Sequence, residues 1–334
     1  MWTSVTIFIL IQFVRLELSP NFEKCFKDFF YQETVPTLKG QSNSTQICQL
    51  LGNKYYYATN YDTNNRIPYY SAYRLSFDNC GKRYNKWFIE PQLAGKDNPN
   101  MALAKNKNAT IYGSEQAVDN DYTNSSFDRG HLNPQMYHCE TNNSRKATNT
   151  LTNIAPQNHI FNNIIWQKLE NILYNISKTY CDFAGARRYF ITGVLSETNR
   201  SISNGRVKVP THYWTAVCCD SSGVNDTIRS EGWSAGFLGE NANNSLIYIN
   251  EIENFLANYT PRLFTDYKDQ NGNIIKNCLF NSTKAFNIID EIAATDPRFI
   301  KPIKESLTKR IFNAVYNFRS YILDKLIFSP RTDL

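Results

Sequence analysis

The sequence predicts an α+β protein, with a central sheet, one major helix crossing it and a helical extension at the C-terminus. Three observations carry this prediction. Segments rich in Tyr, Val, Ile, Phe and Thr recur at 54–62 (KYYYATNYD), 69–77 (YYSAYRLSF), 187–195 (RRYFITGVL), 207–219 (VKVPTHYWTAVCC) and 244–249 (NSLIYI), and this is the composition of strands. Between them, Phe161, Ile165, Leu169, Leu173 and Ile176 recur at steps of three and four, the period of an amphipathic helix. A second stripe, Ile303, Leu307, Ile311, Val315, Phe318, Ile322 and Leu326, marks the C-terminal helix.

At 334 residues, 42% hydrophobic and 20% charged, the chain has the composition of a globular protein with a sizeable core. Its net charge of +6 is compatible with an anionic partner without requiring one. Residues 1–19 open with the apolar run MWTSVTIFILIQFV and read as a signal peptide cleaved near Ser19, although the run lacks Lys and Arg. A buried first helix is the alternative. No later segment is long and apolar enough to span a membrane, so no integral segment is expected after signal removal.

All eight cysteines follow the apolar start, which favours disulfides in a secreted chain, with 105 possible pairings. Cys218 and Cys219 are neighbours in a strand, so they should face opposite ways and take different partners. A zinc site is the rival, but no CxxC is present and no cysteine stands at ligand spacing from a histidine pair. Ten N-x-S/T sites, at Asn43, Asn108, Asn124, Asn142, Asn175, Asn199, Asn225, Asn243, Asn258 and Asn281, point the same way.

Along the chain, KWFIEPQL (86–93) is the expected partner of the 69–77 strand, with Pro91 marking its end. Residues 94–125 read as a long polar surface excursion. The C-terminal stripe has Lys301, Lys304, Lys309, Arg310, Arg319 and Lys325 on its remaining surface. Docking of that stripe on the sheet domain, basic face in water, is preferred to a membrane-surface or nucleic-acid helix. The expected division is therefore 1–19 signal peptide, 20–285 main domain and 286–334 helical extension packed on it. Oligomeric state is not legible.

The stretch with chemical promise is FDRGHLNP (127–134), which places Asp128, Arg129, Gly130 and His131 consecutively in a chain with only four histidines. Asn153 follows in TNIAPQ, Asn162 opens the predicted helix, and Glu170 lies further along it. From Asn162 through Trp166 to Glu170 are two steps of four, a slanted row about 12 Å long at about 1.5 Å per residue. A histidine base beside an amide oxygen suits attack on a phosphodiester. The imidazole deprotonates water near neutral pH, and a cation absorbs charge on the phosphate. Mg²⁺ accepts few protein ligands, and a neutral asparagine leaves it its full charge. His159 reads as a surface residue at the helix start and His212 as a satisfied, partly buried strand residue.

Taken together, DRGHLNP, TNIAPQ, Asn162 with Trp166, and Leu169-Glu170 resemble the DNA/RNA non-specific endonucleases of the ββα-metal type. Within that superfamily the chain is most similar to the endonuclease domain-containing 1 branch, on CFKDFFY, ATNYDTNNRIPYYSAY, WFIEPQL and FDRGHLNP. The resemblance covers about residues 25–260. It implies a mainly antiparallel sheet with a ββα-metal site on one face, and cleavage of DNA and RNA with little sequence preference. It implies His131 as general base, Asn162 as metal ligand, and Glu170 as the acid that orders water around the metal. Asn153 would support the site and Arg129 would serve phosphate or structure. The implied cofactor is Mg²⁺, with Mn²⁺ or another divalent ion as a substitute.

Many relatives carry an arginine four residues after the acid, where this chain has Tyr174. Arg83 or Arg74 could serve in its place, although a surface role is the preferred reading of both, and Asp128 with Arg83 complete the expected substrate-binding set. The leading expectation is a secreted Mg²⁺-dependent nuclease acting through the nucleic-acid backbone. The alternative is a catalytically weak or inactive nuclease-fold protein acting as an extracellular binding protein. A phosphodiesterase for small nucleotides is a third reading, separable by testing dinucleotides against long polymers.

Overall fold

Strand chemistry fixes the middle of the molecule. The structure, a computed structural model, describes residues 17–39, 44–78, 81–105, 109–252, 255 and 263–301. In chain order the principal strands are β1 (Ser44–Leu51), β2 (Lys54–Asp62), β3 (Ile67–Arg74), β4 (Asp128–His131), β5 (Ile154–Gln157), β6 (Arg187–Leu195), β7 (His212–Asp220), β8 (Trp233–Glu240), β9 (Ile247–Asn250) and β10 (Phe299–Ile300). Eight of them form one sheet in the order β1-β2-β3-β6-β7-β8-β9-β10. Every pairing is antiparallel except β9 with β10. β4 and β5 stand apart as a two-stranded antiparallel ribbon.

Side chains alternate across a strand, so each sheet face acquires its own core. On one face Tyr73, Phe190, Tyr213, Val217 and Phe237 pack with helices α2 (Gln167–Tyr180) and α3 (Ser282–Ala294). A shorter helix, α1 (Asn142–Ala147), is closed by a capping box between Thr141 and Ser144. On the other face Tyr70, Ile191, Trp214 and Ala216 pack against Phe22, Phe30, Tyr31 and Phe264. The predicted helical stripe is real. Phe161, Ile165, Leu169, Leu173 and Ile176 are all buried, and Lys168 ties the helix to Asp296 at 2.7 Å.

Between described residues, disulfides join Cys25 to Cys48, Cys181 to Cys219 and Cys218 to Cys278, and no described cysteine is free. The vicinal pair does face both ways, with Cys219 in the helix-side core and Cys218 in the opposite one.

Two expectations are corrected. The 86–93 segment does not pair with 69–77. Only Phe88–Ile89 is a strand, and it pairs with Ala102–Leu103. Nor is 94–125 a purely surface excursion, because Met101, Ala104, Gln116, Ala117, Val118, Asp121 and Tyr122 are buried. Its polar members are paired inside. Gln116 bonds the Glu90 backbone, and Asp121 meets Arg206 at 2.8 Å. α3 spans residue 285, and the compact unit runs to Ile300. The apolar start and the Ile303–Leu326 stripe lie outside the described residues. At the near end, Glu17 O accepts from Cys48 N at 2.9 Å, so the chain at 17–19 runs beside β1. No helix among the described residues is long and apolar enough to cross a membrane.

Candidate active site

The β4–β5 ribbon sets His131 in place, and Gly130 lets the ribbon lie where it does. Gly130 pairs with Ala155 and His131 with Ile154. A side chain at 130 would strike Gln157 and approach the Tyr213 hydroxyl to 2.8 Å, so only glycine fits against the sheet. Arg129 and His131 share one side of the ribbon and both pack on Trp87. The Trp87 ring centroid is 5.4 Å from that of His131 and 5.5 Å from Arg129 Cζ. Arg129 also lies 5.3 Å from the Tyr122 ring, and it donates to Asp119 O and pairs with Asp119 Oδ1 at 2.8 Å. That clamp fixes the guanidinium.

The tautomer of His131 follows from a neighbour the sequence reading did not single out. Asn149 is buried, and its Nδ2 donates to the carbonyl oxygens of Tyr84 (2.8 Å) and Lys86 (3.2 Å). Those partners accept only, so Asn149 Oδ1 must be the atom facing His131 Nε2 at 2.9 Å. Nε2 therefore carries the hydrogen, and Nδ1, with no protein hydrogen-bond partner among the described residues, keeps its lone pair. Burial pushes the imidazole pKa down to about 4, against the hydrogen bond to Asn149, which favours the charged form. His131 is neutral at physiological pH.

Asn162 sits in a π-helical turn, Phe161–Trp166, that leads into α2. The Gln167 N–H donates to Asn162 O, five residues back, so the turn is wider than the i+4 row expected. As a result Trp166 is buried in the core, while Asn162 and Glu170 line the cleft. Asn162 Nδ2 donates to Asp128 Oδ2 at 3.0 Å, which leaves its Oδ1 as the open donor atom for a cation. Asp128 also accepts from Asn163 and contacts His159 Nδ1 at 3.0 Å. Burial works against its charge, but hydrogen bonds from Asn162, His159 and Asn163 outweigh it and hold the carboxyl below its ordinary range. Asp128 faces these side chains and is not part of the cleft lining.

The cleft has a volume of about 220 Å³ and is lined by Arg83, Arg129, His131, Arg145, Asn162 and Glu170 among others. Burial pushes the Glu170 carboxyl up to about 8, against the nearby positive charge of Arg83. Its oxygens have no hydrogen-bond partner among the described residues. Asn153 lies outside the cleft and fully buried. Its amide bonds Ser71 Oγ (2.9 Å), Asn133 N (3.0 Å), Asn133 O (2.9 Å) and Thr148 O (2.8 Å), tying the ribbon to β3 and α1. Tyr174 packs on Phe77 and Tyr137, with ring centroids 5.5 and 6.4 Å away. Arg83 and Arg145 are the cleft cations without a carboxylate partner among the described residues. Arg74 lies outside the cleft lining.

A sheet covered by helices on one face, with a ribbon histidine and a helix-borne asparagine lining one cleft, defines a class, and the family comparison agrees with it. Residues 35–262 match the DNA/RNA non-specific endonuclease family, and the chain belongs to that family. It is 30% identical over 258 residues to the human Endonuclease domain-containing 1 protein, covering 74% of this chain and 48% of that one. It is 26% identical over 158 residues to bovine mitochondrial Endonuclease G, covering 43% of this chain and 51% of that one. It is 26% identical to a nuclease of Nostoc sp., covering 66% of this chain and 75% of that one. The chain thus spans about half the length of the first curated relatives it matches. Among solved structures, the EndoG/EndoGI complex aligns with a TM-score of 0.44 at 19% identity, over 67% of this chain and 81% of that one.

Proposed function

We propose that this protein is a secreted, Mg²⁺-dependent nuclease that hydrolyses phosphodiester bonds of DNA and RNA without sequence preference. The observation that carries the reading is the fixed His131 tautomer, a neutral imidazole with Nδ1 free in a cleft that also holds Asn162, Glu170 and unpaired arginines. Water attacks phosphorus as Nδ1 takes its proton, and the bond to the 3′-oxygen breaks. Asn149 holds the ring and stabilises the imidazolium through the Nε2 hydrogen bond.

The donor set fits a divalent cation. Asp128 takes the Asn162 Nδ2 and leaves Oδ1 open, and the Glu170 carboxyl, which a bound cation would ionise, lacks a hydrogen-bonding partner among the described residues. No three His, Cys, Asp or Glu side chains cluster among the described residues, so the set suits a hard ion that keeps most of its water rather than zinc. Such an ion, held by Asn162 with Glu170 beside it, would supply positive charge to the phosphate oxygens. Asn153 and Asp128 act here as positioning residues, and Arg129, clamped by Asp119, keeps Trp87 against His131. Disulfides on both sheet faces support an oxidising destination.

The test is digestion of plasmid DNA and of RNA by purified protein in Mg²⁺ or excess EDTA, alongside His131→Ala. Metal-dependent loss of both polymers is expected, with the variant slower by roughly 10²–10⁴-fold and still folded. A variant within a few-fold of wild type would remove His131 from the mechanism. Well-folded wild-type protein that cleaves neither polymer would favour the binding-protein reading.

A further inference from the structure

Among the described residues, Arg145 is a buried cation without an anion. It lies on α1, is 7% exposed, and lines the same cleft as His131, Asn162 and Glu170. Its Nη2 donates to Asn142 Oδ1 at 3.0 Å, while its Nη1 is buried with no hydrogen-bond partner. No carboxylate pairs with it among the described residues. The contrast with its peers is plain. Arg129 pairs with Asp119, Arg187 with Asp220, Arg206 with Asp121 and Arg298 with Asp296, each at 2.8 Å or closer. Gly81 contributes to the gap, because a Cβ there would come within 3.1 Å of Arg145 Nη2.

Burying an unpaired guanidinium is unfavourable, and a fold that keeps one in a cleft leaves its compensation to whatever enters. The planar fork of donors matches phosphate oxygens. Tyr174, one turn beyond Glu170 on α2, brings no charge to the cleft, and its ring is packed away between Phe77 and Tyr137.

We propose that Arg145 binds a backbone phosphate of the polynucleotide and supplies positive charge to it from α1. This rests on the nuclease reading above. Arg145 is a substrate-binding residue, and its free state is the less comfortable one.

The test measures binding of a fluorescein-labelled 16-nucleotide DNA by anisotropy in EDTA, across a salt series, for wild type, Arg145→Met and Arg145→Lys. Thermal unfolding is recorded in parallel. Arg145→Met is expected to weaken binding about tenfold at 0.1 M salt and to lower the log K against log[salt] slope by about 0.7, one phosphate contact. Its unfolding midpoint should be unchanged or higher, because a buried unpaired charge is gone. Arg145→Lys should keep the slope and lose part of the affinity. With Mg²⁺ and polymer, Arg145→Met should raise KM more than it lowers kcat. A Met variant that binds with the wild-type slope overturns the proposal, as does a lower midpoint in both variants, which would make Arg145 a structural strut. Wild type that neither binds nor cuts nucleic acid would instead defeat the nuclease reading itself. Wild type that does both, with unaffected variants, defeats only this inference.

Discussion

The two faces of the central sheet are built by different means. The far face is aromatic and cross-linked, with Phe22, Phe30, Trp214 and Phe264 packed around Cys25–Cys48 and Cys218–Cys278. The helix face carries Cys181–Cys219 and supports a polar layer of buried amides, Asn133, Asn149 and Asn153, beneath the ribbon. One side is cross-linked aromatic packing, and on the other an imidazole is held through Nε2 by the buried amide of Asn149. A fold can accept the cost of buried polar groups near a site when the opposite face is well packed.

The largest effect on that contrast should come from the far face. Replacing Cys218 and Cys278 with alanine should cost about 2–4 kcal/mol of unfolding free energy, while the cleavage rate at low temperature stays within twofold of wild type. Denaturant unfolding and a rate assay check both halves, and a rate that falls with stability would merge the two faces. Next, Asn149→Leu keeps the branched shape but strands the Lys86 carbonyl, leaves the Tyr84 carbonyl to Gln135 alone and frees the His131 ring. Cleavage should drop by about 10²-fold and stability by about 1–3 kcal/mol.

The pH dependence of stability gives a smaller effect. The folded His131 pKa of about 4 lies below its ordinary 6.5, so between those values the unfolded chain binds a proton the folded chain does not. Stability from this group is full above pH 6.5 and is lost as pH falls towards 4. Stability curves of wild type and His131→Asn should therefore converge over that window, and parallel curves would remove the buried neutral imidazole. The smallest effect on rate should come from Tyr174→Arg. Its side chain lies in aromatic packing, so cleavage should stay within a few-fold while stability falls by about 1–3 kcal/mol. A large rate gain would show that the helix position still governs phosphate.

The regular elements were the legible part. Lys54–Asp62 and Arg187–Leu195 match the strands expected from composition, and the buried stripe from Phe161 to Ile176 matches the three-and-four period. Those signals are local, because burial imprints a period on the sequence. The two-residue strand Phe88–Ile89 has no period to imprint, and its partner is chosen by tertiary packing. The π-helical turn is equally silent, since one residue's extra width leaves the apolar spacing intact while it moves Trp166 off the Asn162 face. Asn149 and Arg145 lie in NSRKATNTL, which reads as a solvated stretch. Their importance comes from hydrogen bonds and missing ion pairs that composition does not record. His131, Asn162 and Glu170 do line one cleft, whereas Asn153 and Asp128 lie behind it.

Adjacent cysteines on opposite sides of one strand have a consequence for oxidative folding. Cys219 reaches Cys181 at the end of α2, and Cys218 reaches Cys278 beyond the other surface. Exchanging those two partners would require the segments after α2 and before α3 to trade sides of β7. Correct connectivity is therefore a chemical record of docking handedness. A scrambled isomer, identified by peptide mapping, would be a chain whose helix had closed over the wrong surface before its thiols were oxidised.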